Sequence, residues 1–333
     1  MSELLNDLEE LAEELSAPAD TLILFHRNPD ADAVGSAFAL RRVMEELGSR
    51  AFCVCSDEVP AHLRFLCEEQ QQSVLNDAIP EDFSVGRIVS VDTASVAQLG
   101  SLAELYADRV DVMIDHHESG EPYGARCYIR AGAAATGEII FDLVKKLASE
   151  ERIEIDEETC RALYAAISGD TGCFRYSNVT AKTHLRAAEL VASGIDCADI
   201  NHRLFEGWTM EQLRARSAAI SNMEVFADGR VGVVTFPYAL KAALGLEDHH
   251  LDALVDIPRS LLGVQIAICI RQPAPEGKFR VSVRASVDYN VAELCAKFDG
   301  GGHARAAGCT VFASDINEAM QRIVSAIDVS RLF

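Results

Sequence analysis

HRNPDADAVGS, from His26 to Ser36, decides the fold of this chain because it joins a strand-like segment to a helix-like one. The apolar run TLILF before it (21–25) has the length of a buried strand, and AFALRRVMEEL after it (37–47) has the pattern of an amphipathic helix. In an α/β protein, a turn of this kind lies at the carboxyl edge of the sheet, where ligands bind.

Three side chains in this turn can bind a metal ion or act as acids and bases: His26, Asp30 and Asp32. We expect Pro29 to keep Asn28 extended and Gly35 to allow a tight turn. The alternative is a polar loop in which an Asp only caps the helix. The rest of the chain decides between these two interpretations.

Strand-like and helix-like segments alternate along the first part of the chain, with further strands predicted at 50–55, 87–92 and 110–115. This alternation predicts an α/β fold with a parallel sheet and helices on both faces. Beyond a helical connector the order becomes mixed, which predicts a smaller mixed α/β domain. We therefore divide the chain into an N-terminal domain (1–197), a connector (198–228) and a C-terminal domain (229–333).

The composition excludes several classes of protein. The 333 residues include 52 acidic and 30 basic ones, a net charge of −22, which argues against binding to long duplex nucleic acid. No apolar run approaches the roughly 18 residues of a membrane span, and the N-terminus lacks signal-peptide features, so we expect a cytoplasmic protein without membrane contact. The ten cysteines form no CxxC pair and indicate buried free thiols rather than disulfides or a zinc site.

Further acidic and histidine residues follow predicted strands, as His26 does. Asp92 ends RIVSVD, and Asp115-His116-His117 ends VDVMID. Asp170, in SGDTGCF, follows a predicted helix and can face the same edge. Each residue alone could be a helix cap or a surface group. Together, so many carboxylates in one place would repel one another, and a divalent cation removes the conflict. Asp and His ligands without Cys favour Mn²⁺, Mg²⁺, Fe²⁺ or Zn²⁺, and their number suits two ions.

These motifs resemble those of the DHH phosphoesterase superfamily. HRNPDADAVGS, the Asp of SVDT, the DHH tripeptide and GDTGCFRYSN occur in the family's order, and GGGHARAAG (300–308) resembles the signature of the DHH-associated C-terminal domain. Within the superfamily, the chain is most similar to the bacterial bifunctional oligoribonuclease (nanoRNase) and pAp phosphatase group. The resemblance covers nearly the whole chain.

The resemblance implies a role for each matched residue. It places His26 and Asp30 on one metal ion, and Asp32, His116 and Asp170 on the other. Asp92 would bridge the two ions and so act in catalysis. His117 would be a catalytic residue that faces the substrate phosphate, as hydrogen-bond donor or general acid, and Asp115 would orient His116.

A second DHH tripeptide occurs at Asp248-His249-His250. It follows the helix-like segment AALGLE rather than an apolar strand, and no other acidic turn accompanies it. We therefore expect a solvated loop there.

The glycine run near the C-terminus could form an anion-binding nest. By resemblance, the second domain holds a terminal phosphate or nucleotide while the first cleaves the neighbouring phosphate bond. The expected substrate-binding residues are Arg284, Ser286, Gly301, Gly302 and His303, and Arg305 is a weaker candidate. Arg284 and Ser286 share a strand face by period two. Arg284 could otherwise be a surface cation, and the glycine run a simple turn.

The expected function is two-metal hydrolysis of short RNA oligonucleotides to mononucleotides and of 3′-phosphoadenosine 5′-phosphate (pAp) to AMP, with Mn²⁺ as the favoured ion and Mg²⁺ as an alternative. A rival is a phosphodiesterase of dinucleotides such as pApA or c-di-AMP, and inorganic pyrophosphatase is less favoured. A non-catalytic nucleotide-binding module is the alternative of another class. The sequence leaves a homodimer possible.

Overall fold

A computed structural model describes residues 2–67, 71–118, 120–251, 253–287, 289–302 and 304–332. The chain forms two compact units, Met1–Gly207 and Trp208–Phe333. The point of division lies inside the segment 198–228, which the sequence analysis assigned to a connector.

The first unit is built on a parallel sheet. The strand order is β1-β6-β5-β4-β2-β3, and every neighbouring pair is parallel. Short 3-10 helices occupy Ala61–Leu66, Asn76–Ala78, Val96–Leu102 and Ala107–Arg109. The elements are β1 (Glu3–Leu4), α1 (Leu8–Ser16), β2 (Thr21–Leu24), α2 (Ala31–Glu46), β3 (Ala51–Val54), β4 (Arg87–Val91), α3 (Ala103–Tyr106), β5 (Val112–Asp115), β6 (Arg126–Ile129), α4 (Thr136–Ser149), α5 (Glu157–Asp170), α6 (Ala181–Ala192) and α7 (Cys197–Phe205).

Both faces of this sheet are covered, as the sequence predicts. Along β2 and the residue after it, Ile23 and Phe25 pack into the core that also contains α2, α4 and α5. Leu22 and Leu24 point to the opposite face and pack with Leu99 of a 3-10 helix. This alternation follows from the period of two in a strand. The prediction of a parallel α/β domain is confirmed.

The turn that opens the fold differs in detail from its sequence-based prediction. Asn28 is not extended: its φ is 51°, in the left-handed region. Gly35 lies inside α2 rather than at a turn. A Cβ atom there would lie 2.4 Å from the carbonyl oxygen of Ala162, so the glycine allows α2 and α5 to pack closely.

The second unit is a mixed α/β domain, as predicted. Its sheet has the order β11-β12-β10-β9-β8-β7, in which β8 and β9 are parallel and the other pairs are antiparallel. A 3-10 helix spans Asp248–Leu251. The other elements are α8 (Met210–Ser221), β7 (Met223–Phe226), β8 (Val231–Phe236), α9 (Tyr238–Ala243), α10 (Asp256–Arg259), β9 (Ile266–Arg271), β10 (Lys278–Ala285), α11 (Val291–Ala296), β11 (Gly301–Gly302), β12 (Ala306–Phe312) and α12 (Ile316–Ser325).

The helical pattern assigned to the connector ends earlier than expected. Residues 223–226 form β7, an edge strand that pairs with β8, instead of continuing the helix. Gln212 and Thr209 form a capping box that starts α8. The correction arises because a four-residue edge strand carries too little periodicity to be separated from a preceding helix.

Two expectations from composition can be compared with the structure. The ten cysteines are free, and seven of them are buried. Within the described parts of the chain, every helix is too short or too polar to span a lipid bilayer.

Candidate metal centre

Three neighbouring strands, β2, β4 and β5, deliver side chains to one edge of the parallel sheet. His26 follows β2, Asp92 follows β4, and the tripeptide Asp115–His117 ends β5. The amide of Asp92 donates to the carbonyl of Ile114 at 3.0 Å, which ties the end of β4 to β5. Asp92 has a φ of 52°, so the backbone turns sharply as the strand ends.

The first turn of α2 adds two carboxylates. Asp30 is the N-cap of the helix, and its Oδ1 accepts from the amides of Asp32 and Ala33, both at 3.0 Å. Asp32 is 1% exposed, and its Oδ1 accepts from the hydroxyl of Ser36 at 2.9 Å. Capping therefore does occur here, but it involves only one of the two Asp residues.

Asp170 is the last residue of α5 and reaches the same place. Its Oδ2 lies 3.3 Å from Nε2 of His116. The same nitrogen is 3.6 Å from Oδ1 of Asp92 and 3.9 Å from Oδ2 of Asp32. The helix therefore completes a group of three carboxylates around Nε2 of His116.

Asp92 lies between two groups of donors. Its Oδ2 is 3.4 Å from Nε2 of His26, whereas its Oδ1 is on the side of His116. Nε2 of His26 is also 3.6 Å from Oδ1 of Asp30. Each group contains donor atoms within 4.8 Å of one another: His26, Asp30 and Asp92; Asp32, His116 and Asp170; and Asp92, His116 and His117. All six expected ligands are thus brought together, with Asp92 in the middle.

The pKa values of the cluster indicate that bound positive charge would stabilise it. Burial, with the charges of Asp92 and Asp170 nearby, raises the pKa of Asp32 well above its usual range. Burial also raises the pKa of Asp170, and the nearby charges of Asp30 and Asp92 add to this effect. Burial opposes a charge on His26, but Asp30 and Asp92 outweigh it and raise the pKa of His26 well above its ordinary value. Protons would therefore be retained where cations could bind.

Asp92 differs from the other carboxylates. Burial alone would raise its pKa, but the hydrogen bond from His26 and the neighbouring imidazoles overcome that effect and lower it. Asp92 is therefore ionised and only 2% exposed. A buried carboxylate that stays ionised between histidines is suited to bind two cations at once.

The donor set fits divalent metal ions. Ligand atoms about 2.0–2.2 Å from one cation lie roughly 2.8–3.6 Å apart. Four of the observed separations, at 3.3–3.6 Å, are close to this range, and the separation between Asp32 and His116 is longer, at 3.9 Å. The Nδ1 atom of His26 lies 2.8 Å from the carbonyl of Arg27, which leaves Nε2 to face the carboxylates. A ring nitrogen held in this way is typical of metal-binding histidines.

Asp115 has a different partner from the expected one. Its Oδ1 lies 2.6 Å from Nδ1 of His117, not against His116. Nδ1 of His116 lies 3.3 Å from the carbonyl of Ala133 instead. Asp115 is the last residue of β5, and His117 lies two positions beyond it. Burial opposes a charge on His117, but Asp115 raises the pKa of this imidazole.

Sequence reasoning missed two residues of this site, Thr136 and Gly137. Their amides donate to Oδ2 and Oδ1 of Asp32 at 2.6 and 2.8 Å. The Thr136 hydroxyl donates to Oδ1 of Asp92 at 3.1 Å. The available signal was that Thr136 is the one hydrogen-bonding side chain in the run AGAAATG (131–137). By itself that signal indicates only a helix cap.

The expected substrate-binding residues lie in the second unit. Arg284 is half-buried near the end of β10, and Ser286 is exposed just beyond it. Gly301 and Gly302 form β11 and pair with Gly308 and Ala307 of β12. His303 lies outside the described residues, and Arg305 is exposed between the two strands.

Asp and His donors gathered at the carboxyl edge of a parallel sheet are a ligand set that metal-dependent hydrolases use. Residues 20–167 match the DHH family, N-terminal domain, and residues 235–328 match the DHHA1 domain. The chain therefore contains a DHH domain followed by a DHHA1 domain, and the prediction of a DHH domain followed by a DHH-associated domain is confirmed.

Relatives of the chain include two bacterial enzymes. The chain is 27% identical over 305 residues to the bifunctional oligoribonuclease and PAP phosphatase NrnA of Thermus thermophilus, and the alignment covers 92% of this chain and 88% of that protein. It is 26% identical over 339 residues to the cyclic-di-AMP phosphodiesterase PdeA of Listeria monocytogenes, covering 96% of this chain and 49% of that protein.

A solved structure shares the fold along the whole chain. The exopolyphosphatase-related protein from Bacteroides fragilis superposes with a TM-score of 0.87 at 21% sequence identity, covering 97% of this chain and 95% of that one. At this identity the likeness concerns the fold alone.

Proposed function

We propose that this chain is a metal-dependent phosphoesterase that hydrolyses short oligoribonucleotides to mononucleotides and pAp to AMP. The observation that carries the proposal is the position of Asp92, whose two carboxylate oxygens face His26 on one side and His116 on the other. A bridging carboxylate between two donor groups is the arrangement used for two-metal hydrolysis of phosphate esters.

Two divalent metal ions would be held in the roles assigned from the family's motifs. His26 and Asp30 would hold one, Asp32, His116 and Asp170 would hold the other, and Asp92 would contribute to both. We propose Mn²⁺ as the ion, with Mg²⁺ as the alternative, because the ligands are carboxylates and imidazoles without thiolates. When bound, such ions neutralise phosphate oxygens and make a water molecule more acidic.

His117 acts as the general acid in this proposal. Asp115 holds its Nδ1 at 2.6 Å, which fixes the ring orientation and assigns proton transfer to Nε2. Asp115 raises the pKa of the His117 imidazole against the effect of burial, which favours its protonated form. That proton is delivered to the leaving oxygen as the phosphorus–oxygen bond breaks.

The second unit supplies the residues that bind the terminal phosphate or nucleotide: Arg284, Ser286, Gly301, Gly302 and His303. The glycine strand supports this role. A Cβ at Gly302 would lie 2.6 Å from the carbonyl of Ala306, whereas one at Gly301 would meet nothing within 4 Å. Gly301 therefore leaves its backbone open to an anion, and Gly302 is required for the pairing with β12.

The oligoribonuclease and pAp phosphatase is the first candidate because the chain is 27% identical, over 92% of its length, to a protein of that name, NrnA of Thermus thermophilus. Hydrolysis of pApA or c-di-AMP is nevertheless the second candidate, because the matched half of PdeA covers 96% of this chain. A nucleotide-binding module without activity is the third.

One panel of turnover measurements separates these candidates. The purified chain is incubated with Mn²⁺ and, in separate reactions, RNA of two to five nucleotides, pAp, pApA, c-di-AMP and pyrophosphate. Products are separated by ion-exchange chromatography, and Asp92→Ala serves as the inactive control. We expect mononucleotides from the RNA and AMP with orthophosphate from pAp.

Each other outcome points to another function. Turnover of c-di-AMP or pApA far above that of RNA would support the phosphodiesterase. Activity restricted to pyrophosphate would exclude the proposal that the second unit binds a nucleotide. Calorimetric binding of pAp without turnover of any compound, in protein that binds Mn²⁺, would support the binding module.

A further inference from the structure

The first turn of α4 and the residues just before it contact three of the proposed metal ligands. We call residues 133–137 the α4 turn. The N-cap of α4 is Ala135, which has no side chain to accept hydrogen bonds from the helix amides. Such amides need another acceptor. The carboxylate of Asp32 takes this place, with Thr136 and Gly137 as its donors at 2.6 and 2.8 Å.

These contacts determine which oxygen of Asp32 is available to a cation. Oδ1 accepts from both Gly137 and Ser36, so its two lone pairs are used. Oδ2 accepts from the Thr136 amide and lies 3.9 Å from Nε2 of His116. The α4 turn therefore presents Oδ2 of Asp32 to the cluster.

The same turn contacts two further ligands. The Thr136 hydroxyl donates to Oδ1 of Asp92 at 3.1 Å, in a site where Thr136 is fully buried. The carbonyl of Ala133 lies 3.3 Å from Nδ1 of His116, which directs Nε2 of that ring to the carboxylates. Three ligands from three different elements thus share one support.

The α4 turn is itself held firmly. The side-chain amide of Asn178 donates to the carbonyls of Ala134 and Asp170 at 2.9 and 3.1 Å, and the amide of Ala134 donates to Glu138. A Cβ at Gly137 would lie 2.6 Å from Cβ of Ala166, so the turn is packed directly against α5. The turn is therefore joined by hydrogen bonds and close packing to the element that carries Asp170.

We propose that Thr136 is a positioning residue for the metal centre: its hydroxyl orients the bridging carboxylate of Asp92 while its amide orients Asp32. The inference rests on the proposed two-metal function and adds to it a residue that is neither a ligand nor in the motifs of the sequence analysis. Groups that hold metal ligands in this way commonly change metal affinity or activity 10- to 100-fold when removed.

Three variants test the proposal. Thr136→Val removes the hydroxyl at nearly constant volume and keeps the amide, and Thr136→Ser restores a hydroxyl. Thr183→Val is the matched control, because Thr183 is also fully buried and its hydroxyl accepts a hydrogen bond from the Thr180 amide in the capping box of α6. Mn²⁺ binding to the metal-free proteins is measured by isothermal titration calorimetry, and melting temperatures are recorded for all.

We expect Thr136→Val to bind Mn²⁺ about 10- to 100-fold more weakly, with Thr136→Ser and Thr183→Val close to the wild type. With RNA dinucleotide as substrate, Thr136→Val should need more Mn²⁺ for half-maximal rate while KM for RNA at saturating Mn²⁺ is unchanged. Should Thr136→Val fail to fold, Thr136→Ala takes its place in the same measurements.

Wild-type Mn²⁺ affinity in the folded Val or Ala variant would overturn the proposal. So would an equal loss in Thr136→Ser, because the hydroxyl would then not be the cause. Either result would leave the proposed function intact if the wild type binds Mn²⁺ and cleaves RNA. Failure of the wild type to bind any divalent ion would instead reject the proposed function.

Discussion

Two Asp-His-His tripeptides occur in this chain, and their surroundings are opposite. The first tripeptide, Asp115–His117, ends strand β5 next to β4 and β6, and its Asp is fully buried. The second tripeptide, Asp248–His250, forms a 3-10 helix, and the side chain of His249 is 64% exposed. The expectation of a solvated position for the second is in agreement with this exposure.

Their partners differ as much as their burial. In the first tripeptide, Asp115 contacts His117, and His116 faces Asp92 and Asp170. In the second, Asp248 pairs with Lys241, and the amide of Glu247 donates to Nδ1 of His250 at 2.9 Å. The Asp-His-His sequence therefore does not form a metal site by itself. The site also needs carboxylates from other elements, which meet at the edge of a parallel sheet but not around the exposed second tripeptide.

The largest contrast between the tripeptides should appear when the cluster around the first loses its central carboxylate. Asp92→Ala is expected to lower hydrolysis at least ~10³-fold, since bound metals supply several kcal/mol of transition-state stabilisation. Asp248→Ala, the matched loss of an Asp beside the second tripeptide's histidines, should keep wild-type rates. Initial rates on RNA dinucleotide with excess Mn²⁺ measure both, and near wild-type activity in Asp92→Ala would refute the assignment.

The last histidines of the two tripeptides give the next contrast. His117→Gln is expected to lower kcat about 10²- to 10³-fold by removing a general acid, and His250→Gln should have no effect. A p-nitrophenyl phosphodiester needs little protonation of its leaving group, so His117→Gln should lose much less activity on that substrate than on RNA. Equal losses on both substrates would assign His117 to binding or structure.

Stabilisation of the protein by bound metal, and its loss when the metal is removed, should depend on the first tripeptide and not on the second. Mn²⁺ at about 100 times its Kd would stabilise the protein by about 2.7 kcal/mol, seen as a rise in melting temperature. Asp32 and Asp170 have raised pKa values in the folded metal-free protein, so their contribution to stability is present at low pH and is lost as the pH rises through those values.

The shift in melting temperature caused by Mn²⁺ should therefore be larger at about pH 8 than at about pH 5.5, since fewer protons then compete for the ligands. The shift should persist in full in His249→Ala and be reduced in His116→Ala, which loses a ligand of one of the two proposed ions. A shift that is independent of pH, or that is undiminished in His116→Ala, would contradict the assignment of this cluster as the metal centre.

Asp115 and Asp248 give a smaller contrast in activity. Asp115→Asn is expected to lower kcat about tenfold through a less well oriented His117. Because the Asp115 carboxylate raises the pKa of His117, its removal should lower that pKa and shift the alkaline limb of the kcat profile to lower pH. If the alkaline limb of the kcat profile did not move, the group that titrates in it would not be His117.

The smallest expected effect belongs to Asp248→Asn. It weakens the pair with Lys241, and a partly exposed pair of this kind contributes at most about 1 kcal/mol to the free energy of unfolding. Urea denaturation measures this loss, and activity should not change. A large loss of activity would give the second tripeptide a function that its exposed position does not suggest.

Much of the metal centre could be predicted from the sequence because its ligands follow apolar strands. The runs before His26, Asp92 and Asp115 are continuous and buried, as in a parallel sheet, and this local pattern places their ends at one edge. The short strands β1 and β6 escaped prediction, because two to four residues show too little periodicity.

Contacts between distant segments could not be predicted in the same way. The hydrogen bond from Thr136 to Asp32 joins residues 104 positions apart. It exists because the N-terminus of α4 packs against α5 and beneath the first turn of α2. Nothing in the run AGAAATG indicates which carboxylate its amides will contact.

The sequence by itself therefore determined the kinds of ligand, their order and the sheet edge where they meet, because hydrophobic periodicity is a local property of the chain. Only the tertiary structure decided that Asp115 contacts His117, that Asp92 faces two histidines and that the α4 turn holds Asp32. Those three contacts depend on side-chain directions and on distances of a few ångströms, and the packing of helices against the sheet determines both.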